Sequence, residues 1–226
     1  MKKLFTIGIL ATMTFLAITA CASNLRGVDS HMRIYDNLNE EKWKTLCRFQ
    51  ENGLFGFKNA NDEVVIDPQY YGAHRFSEGL AFVIGVEGSD YQTGFIDSTG
   101  TLIISLPTVS VASVFSEGFA TIIKREWDYA NEEPLIVDTP GPYIFIDRNG
   151  VNVFEQEFGS AYRFIEGFAR VTLLNGNDAF INKAGQNAFG MEFLNARDFE
   201  NGYAMVTLLN GRERQLHSSG RLSARR

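Results

Sequence analysis

One eleven-residue pattern occurs four times in this chain: Ala73–Val83 (AHRFSEGLAFV), Ala112–Ile122 (ASVFSEGFATI), Ala161–Val171 (AYRFIEGFARV) and Ala196–Val206 (ARDFENGYAMV). Counted from its phenylalanine, Ala stands at −3 and Gly at +3 in every copy. A bulky Leu, Phe or Tyr follows at +4, Ala at +5, and Val or Ile at +7. Self-similarity on this scale means that one supersecondary unit is built several times over, and that each unit completes its core against a neighbour.

The segments between the copies repeat as well. Leu54–Asn59, Thr93–Asp97, Tyr143–Asp147 and Ala179–Asn182 are short apolar runs ending in Asp or Asn; a turn follows each, Ala60–Asn61–Asp62 after the first and a Gly-containing one after the others, and then a further apolar run. Trp43–Gln50 reads as the first strand, Glu51–Asn52–Gly53 as a type I′ hairpin turn and Val64–Ile66 as a third strand. The anchor phenylalanines Phe76, Phe115, Phe164 and Phe199 lie 39, 49 and 35 residues apart. Each unit is therefore expected to hold three short antiparallel strands and a link to the next, giving about four and a half units. The expected fold is all-β: a tandem array stacked as an open solenoid, with a propeller-like closed ring as the alternative.

Within the pattern, the four phenylalanines read as core knobs. Gly79, Gly118, Gly167 and Gly202 stand where the link turns into a strand and positive φ is needed. The alanines at +5 (Ala81, Ala120, Ala169, Ala204) suit a crowded strand face. Apolar residues at −6, −3 and 0, such as Phe158–Ala161–Phe164, recur with period three, which predicts one 3₁₀-like turn before each strand. Glu78, Glu117 and Glu166 form a series of carboxylates at +2, with Asn201 in the last copy. They are expected to accept turn N–H bonds or to face solvent, and Asp97 and Asp147 are expected to close Asx-type turns, with Asn59, Asn182 and His217 in the other units.

Phe-x-Glu-Gly-(Leu/Phe)-Ala-x-Val, together with Gly-Phe-Ile-Asp-x-x-Gly and Val-Ile-x-Pro-x-Tyr, resembles the WG (KWG) repeat of bacterial proteins over residues 43 to about 220. The Trp-Gly pair that names the repeat reads Phe55–Gly56, Thr93–Gly94, Tyr143–Ile144 and Asp178–Ala179 here. The resemblance implies a non-catalytic β scaffold that binds protein.

Residues 1–20 read as a signal peptide rather than as part of the fold. Lys2 and Lys3 precede an apolar run of 17 residues, Leu4–Ala20, short of the ~20 that span a bilayer. Leu16–Cys21 resembles the lipobox of bacterial lipoproteins, which implies a lipid on Cys21, a membrane anchor and a place in the cell envelope, at the outer membrane in a Gram-negative source. Residues 21–42 then read as a polar tether, 43–220 as the β domain and 221–226 as a frayed tail. With Cys21 lipidated, no cysteine is left to pair with Cys47, which reads as a small buried hydrophobe. Without Lys2 and Lys3 there are 19 basic residues against 27 acidic, a formal charge of −8. That balance disfavours nucleic acid as a partner.

No catalytic residues, metal site or cofactor can be read from the motifs. His31, His74 and His217 share no ligand spacing with one another or with Cys47, and no phosphate loop or nucleophile elbow is present. The expected role is therefore not enzymatic. The departure that stands out is an insertion, Lys124–Pro142, which accounts for the 49-residue interval and carries Trp127, Tyr129 and five acidic residues. Loops on a rigid β scaffold carry binding surfaces, with exposed aromatics as anchors. Trp127 and Tyr129, with Tyr91 in the smaller extension Val86–Gln92, are the candidate ligand-binding residues, for an envelope protein or, alternatively, a glycan.

Overall fold

The computed structural model describes residues 42–85, 93–107, 109, 111–123, 127–128, 133–134 and 142–223. They form seventeen strands joined by turns and one 3₁₀ turn, and there is no α-helix among the described residues. The chain divides into two compact units, one ending at Ser105 and the other beginning at Leu106.

In the first unit, a 3₁₀ turn at Lys42–Thr45 leads into β1 (Cys47–Glu51), so the strand expected from Trp43 starts four residues later. β1, β2 (Leu54–Lys58) and β3 (Val64–Tyr70) form one antiparallel meander. β4 (Gly72–Ala73), β5 (Ala81–Ile84), β6 (Gly94–Ile96) and β7 (Leu102–Ser105) form a second, in that order. The turn between β1 and β2 has Asn52 at φ 50° and Gly53 at φ 84°, the type I′ geometry read from the Asn-Gly pair. One core joins both sheets, with Phe57, Tyr70, Phe76 and Val83 buried in it and Trp43 packed at its edge. Cys47, expected as a lone buried thiol, is half-buried and disulfide-bonded. The other cysteine, Cys21, lies outside the described residues.

In the second unit, β8 (Ala120–Ile123) pairs with β11 (Tyr143–Ile146), and between them β9 (Trp127–Asp128) pairs only with β10 (Glu133–Pro134). A six-stranded antiparallel sheet follows: β12 (Ser160–Ile165), β13 (Phe168–Thr172), β14 (Asp178–Ile181), β15 (Phe193–Ala196), β16 (Tyr203–Leu208) and β17 (Glu213–His217). It is two repeats in one sheet, joined through the single residue pair Asp178↔Phe193. Arg221–Ser223 continue it: Leu222 bridges to Leu216, and the Ser223 amide donates to the Gln215 carbonyl at 2.8 Å.

The recurring pattern is one local structure built four times. Glu78–Gly79, Glu117–Gly118, Glu166–Gly167 and Asn201–Gly202 all have positive φ at both residues, so each pair is the loop of a two-residue hairpin. The flanking pairs are Ser77↔Leu80, Ser116↔Phe119, Ile165↔Phe168 and Glu200↔Tyr203. The "link" before each phenylalanine is thus the first arm of that hairpin, a continuous strand in the third copy and a short strand or isolated bridges in the others, and the 3₁₀ turn expected there is absent among the described residues. Four residues back from Ser77 lies Ala73, yet its partner Val83 is only three forward from Leu80. The same offset holds for Ala112↔Ile122, Ala161↔Val171 and Ala196↔Val206. One extra residue therefore sits in the first strand of every copy, a β-bulge. A regular strand turns every second side chain inward, and the bulge lengthens one interval to three. Hence Ala at −3 and Phe at 0 both reach the core. All four alanines at each of −3 and +5, and all four anchor phenylalanines, are at most 8% exposed.

The glycine of the degraded Trp-Gly pair also has a physical explanation. A Cβ on Gly56 would meet the Ile66 carbonyl oxygen at 2.5 Å, and one on Gly94 would run into that of Ile104. These are the copies in which the next strand, β3 or β7, is complete. Where Ile144 or Ala179 carries a Cβ, that strand shrinks to the single bridge Ile146↔Asn152 or Ile181↔Asn187.

Candidate functional site

The insertion is a hairpin of its own. Its backbone pairs Glu133 with Asp128 and Pro134 with Trp127. The backbone of Trp127 is thereby placed on β9, whereas its side chain, Tyr129 and Tyr91 lie outside the described residues.

The carboxylates of the sister units fall into two classes. Those after the apolar strand close turns on their own chain. Asp97 Oδ1 accepts the Thr99 and Thr101 amides at 2.8 and 3.0 Å, and Asp147 Oδ1 accepts those of Asn149 and Val151 at 2.8 and 3.0 Å. Asn59 and Asn182 accept the corresponding amides through Oδ1, and at His217 the acceptor of the Ser219 amide is Nδ1, at 3.1 Å. What is selected is therefore an acceptor rather than a charge. Partial burial opposes the charge of Asp97, but bonds from Thr99, Thr101 and Gly100 outweigh it and hold its pKa below the usual carboxylate value. Asp147 is lowered chiefly by the Val151 amide.

The carboxylates at +2 act differently. Both oxygens of Glu117 accept the amide of Gly167, at 3.2 and 3.1 Å, and Lys183 Nζ stands 3.0 Å from Oε2. Glu166 Oε2 accepts the amide of Gly202 at 2.7 Å. They do accept turn N–H groups, but those of the next copy, 50 and 36 residues ahead. Nothing in local sequence marks a bond of that span. Between the same copies, the Ser116 hydroxyl donates to the Phe164 carbonyl at 2.7 Å. The Phe119 ring lies 4.9 Å from that of Phe164, and the Phe168 ring 4.9 Å from that of Phe199. In the last copy, Asn201 takes the Glu position and Tyr203 is 45% exposed.

A further polar cluster, not anticipated from the sequence, lies where the third and fourth copies join. Asp178, at the degraded Trp position, is 6% exposed. It accepts the Ala196 amide at 2.8 Å and the Thr172 hydroxyl at 2.8 Å. Those bonds reinforce the place where β14 and β15 share one residue pair. Arg170 donates to Asp198 at 3.0 Å, lies 4.0 Å from Asp178 and covers the Tyr162 ring at 3.5 Å. Elsewhere, Asn177 and then Asn175 hold the Glu192 carboxylate below its usual pKa. Burial, followed by the charge of Arg48, keeps His74 below that of an ordinary histidine. These contacts join strands and turns to one another.

A family model described as "WG containing repeat" matches residues 55–84, 94–129, 145–177 and 179–212, more than half of the chain. No curated protein matches the sequence significantly. Among solved structures, the chain is similar to BamB from Moraxella catarrhalis at 12% identity and a TM-score of 0.29, covering 74% of this chain and 65% of that one. It thus spans just under two thirds of the length of that relative.

Proposed function

We propose, since the chain belongs to the family of WG-containing repeats, that it is an envelope-anchored scaffold lipoprotein that binds another protein through the inserted β9–β10 hairpin. One observation carries this reading. The insertion interrupts the repeat between β8 and β11, yet among the described residues its strands pair with each other and with no strand of the repeat sheets. A binding loop on a β scaffold has this form, because the loop can vary without cost to the core. The acidic residues Glu126, Asp128, Glu132, Glu133 and Asp138 beside Trp127 and Tyr129 suit a partner that offers basic and apolar side chains. The anchor rests on the lipobox-like Leu16–Cys21. In the lipidated form the Cys21 sulfur carries the thioether, so Cys47 is there a free thiol rather than the disulfide described above, and two acyl chains would hold the protein at the membrane.

The test is crosslinking of the full chain in its native envelope, comparing wild type with a variant in which Lys124–Pro142 is replaced by a two-residue turn. A crosslinked partner lost in the variant, with the β-sheet circular dichroism unchanged, supports the hairpin as the site. An identical partner profile refutes it, and loss of binding to a glycan array instead would assign the loop to carbohydrate. Intact mass after thiol alkylation tests the anchor. A lipidated Cys21 leaves Cys47 open to alkylation, whereas a Cys21–Cys47 disulfide excludes the thioether lipid.

A further inference from the structure

We infer that positions +2 and +4 of the second and third hairpins form a two-point latch onto the copy that follows, coupling the three copies of the second unit boundary by boundary. The hairpin ladder explains why an acceptor is needed. It closes through the pair Ile165↔Phe168 in the third copy and through reciprocal bonds between Glu200 and Tyr203 in the fourth. The amide of the second loop residue, Gly167 or Gly202, stands outside that ladder. A buried or half-buried N–H without an acceptor is costly. The chain supplies the acceptor from the preceding copy: Glu117 for Gly167 and Glu166 for Gly202.

The positive φ of the glutamates themselves, 53° at Glu117 and 54° at Glu166, belongs to the same device. The type I′ loop displays its first residue at the tip. From there a side chain of glutamate length reaches the next tip, and a charge-assisted bond holds it. The second point is aromatic. Phe119 packs on Phe164 and Phe154, and Phe168 on Phe199 and Phe189, at centroid distances of 4.9 to 5.5 Å. Both points sit on one hairpin, two residues apart, so each copy engages the next as a rigid piece. The third copy is held on both sides, receiving from Glu117 and Phe119 and giving through Glu166 and Phe168.

The experiment is amide exchange by NMR on the full chain, comparing wild type with Glu117→Ala, Glu166→Ala and Glu166→Gln. Glu166→Ala is expected to speed exchange at Gly202 by about tenfold or more, as the loss of a charge-assisted bond implies, with Gly167 unchanged. Glu117→Ala is expected to do the reverse. Glu166→Gln keeps a neutral acceptor and should recover part of the protection at Gly202. Equal acceleration at both glycines would mean general destabilisation and would overturn the latch, as would unchanged exchange at the glycine facing the removed carboxylate.

Discussion

Replacing Phe164 by alanine probes a joint where three other rings surround the anchor. The side chain is fully buried, with the rings of Phe119, Phe145 and Phe154 at 4.9, 5.5 and 6.3 Å. Truncating a buried phenylalanine costs about 3–5 kcal/mol, as lost transfer energy plus a cavity that the surroundings fill only in part. Here Phe145 lies on the paired strand β11 and Phe119 in the bridge that closes its hairpin, so collapse is limited and the upper half of that range applies. A domain of this kind has about 5–15 kcal/mol in all. With a urea slope of about 2 kcal/mol per molar, the midpoint for residues 143–217 should fall by about 2 M. Urea titration read by hydrogen-exchange mass spectrometry follows that segment directly. Leu174→Ala, at a side chain 75% exposed, is the control and should move the midpoint by less than about 0.3 M. A shift for Phe164→Ala no larger than the control's would refute the assignment of the anchor as a core knob.

Three other substitutions separate the remaining roles. Gly94→Ala forces a methyl group into the Ile104 carbonyl and should disrupt β6–β7 pairing. Gly176→Ala, with nothing near the added carbon, should cost only the ~1–2 kcal/mol of a left-handed alanine; similar losses for the two in chemical denaturation would contradict the close approach. Asp178→Ala leaves the Ala196 amide and Thr172 hydroxyl unpaired in a buried place, and should cost about 1–3 kcal/mol, with faster exchange at Ala196. Asp147 has a lowered pKa, so the stability it contributes is present above the unfolded carboxylate pKa and lost as pH falls through its lower folded value. Asp147→Asn keeps an Asx acceptor, as Asn59 and Asn182 do. It should flatten that acid limb while leaving stability at neutral pH almost unchanged.

Much of this architecture was legible in the sequence, because packing and turn chemistry are local. The inward positions recur at fixed offsets from the anchor phenylalanine, and each proved buried. The acceptors at Asn59, Asp97, Asp147, Asn182 and His217 proved to close the turns their sequence context demands. The period of three before each anchor was misleading for a definite reason. A bulged strand and a 3₁₀ turn both bring residues three apart to one face, and only strand pairing tells them apart. The destination of the +2 carboxylates was hidden because a bond across 36 or 50 residues leaves no local pattern. The Asp178–Arg170–Asp198 cluster was hidden likewise, since its members come from β14, from β13 and from the segment after β15. As for the candidate site, the insertion was legible as a break in the repeat and its β9–β10 pairing is described, whereas the side chains of Trp127, Tyr129 and Tyr91 are not among the described residues.

The central claim is that the four copies share one bulged hairpin, and cross-strand nuclear Overhauser contacts in the labelled protein test it most directly. The prediction is contacts between Ala73 and Val83, Ala112 and Ile122, Ala161 and Val171, and Ala196 and Val206, each accompanied by the pair that flanks the Glu-Gly or Asn-Gly loop. Sequential contacts between residues two and three apart over Ala161–Phe164 and its counterparts, without the cross-strand set, would show a 3₁₀ turn and contradict it.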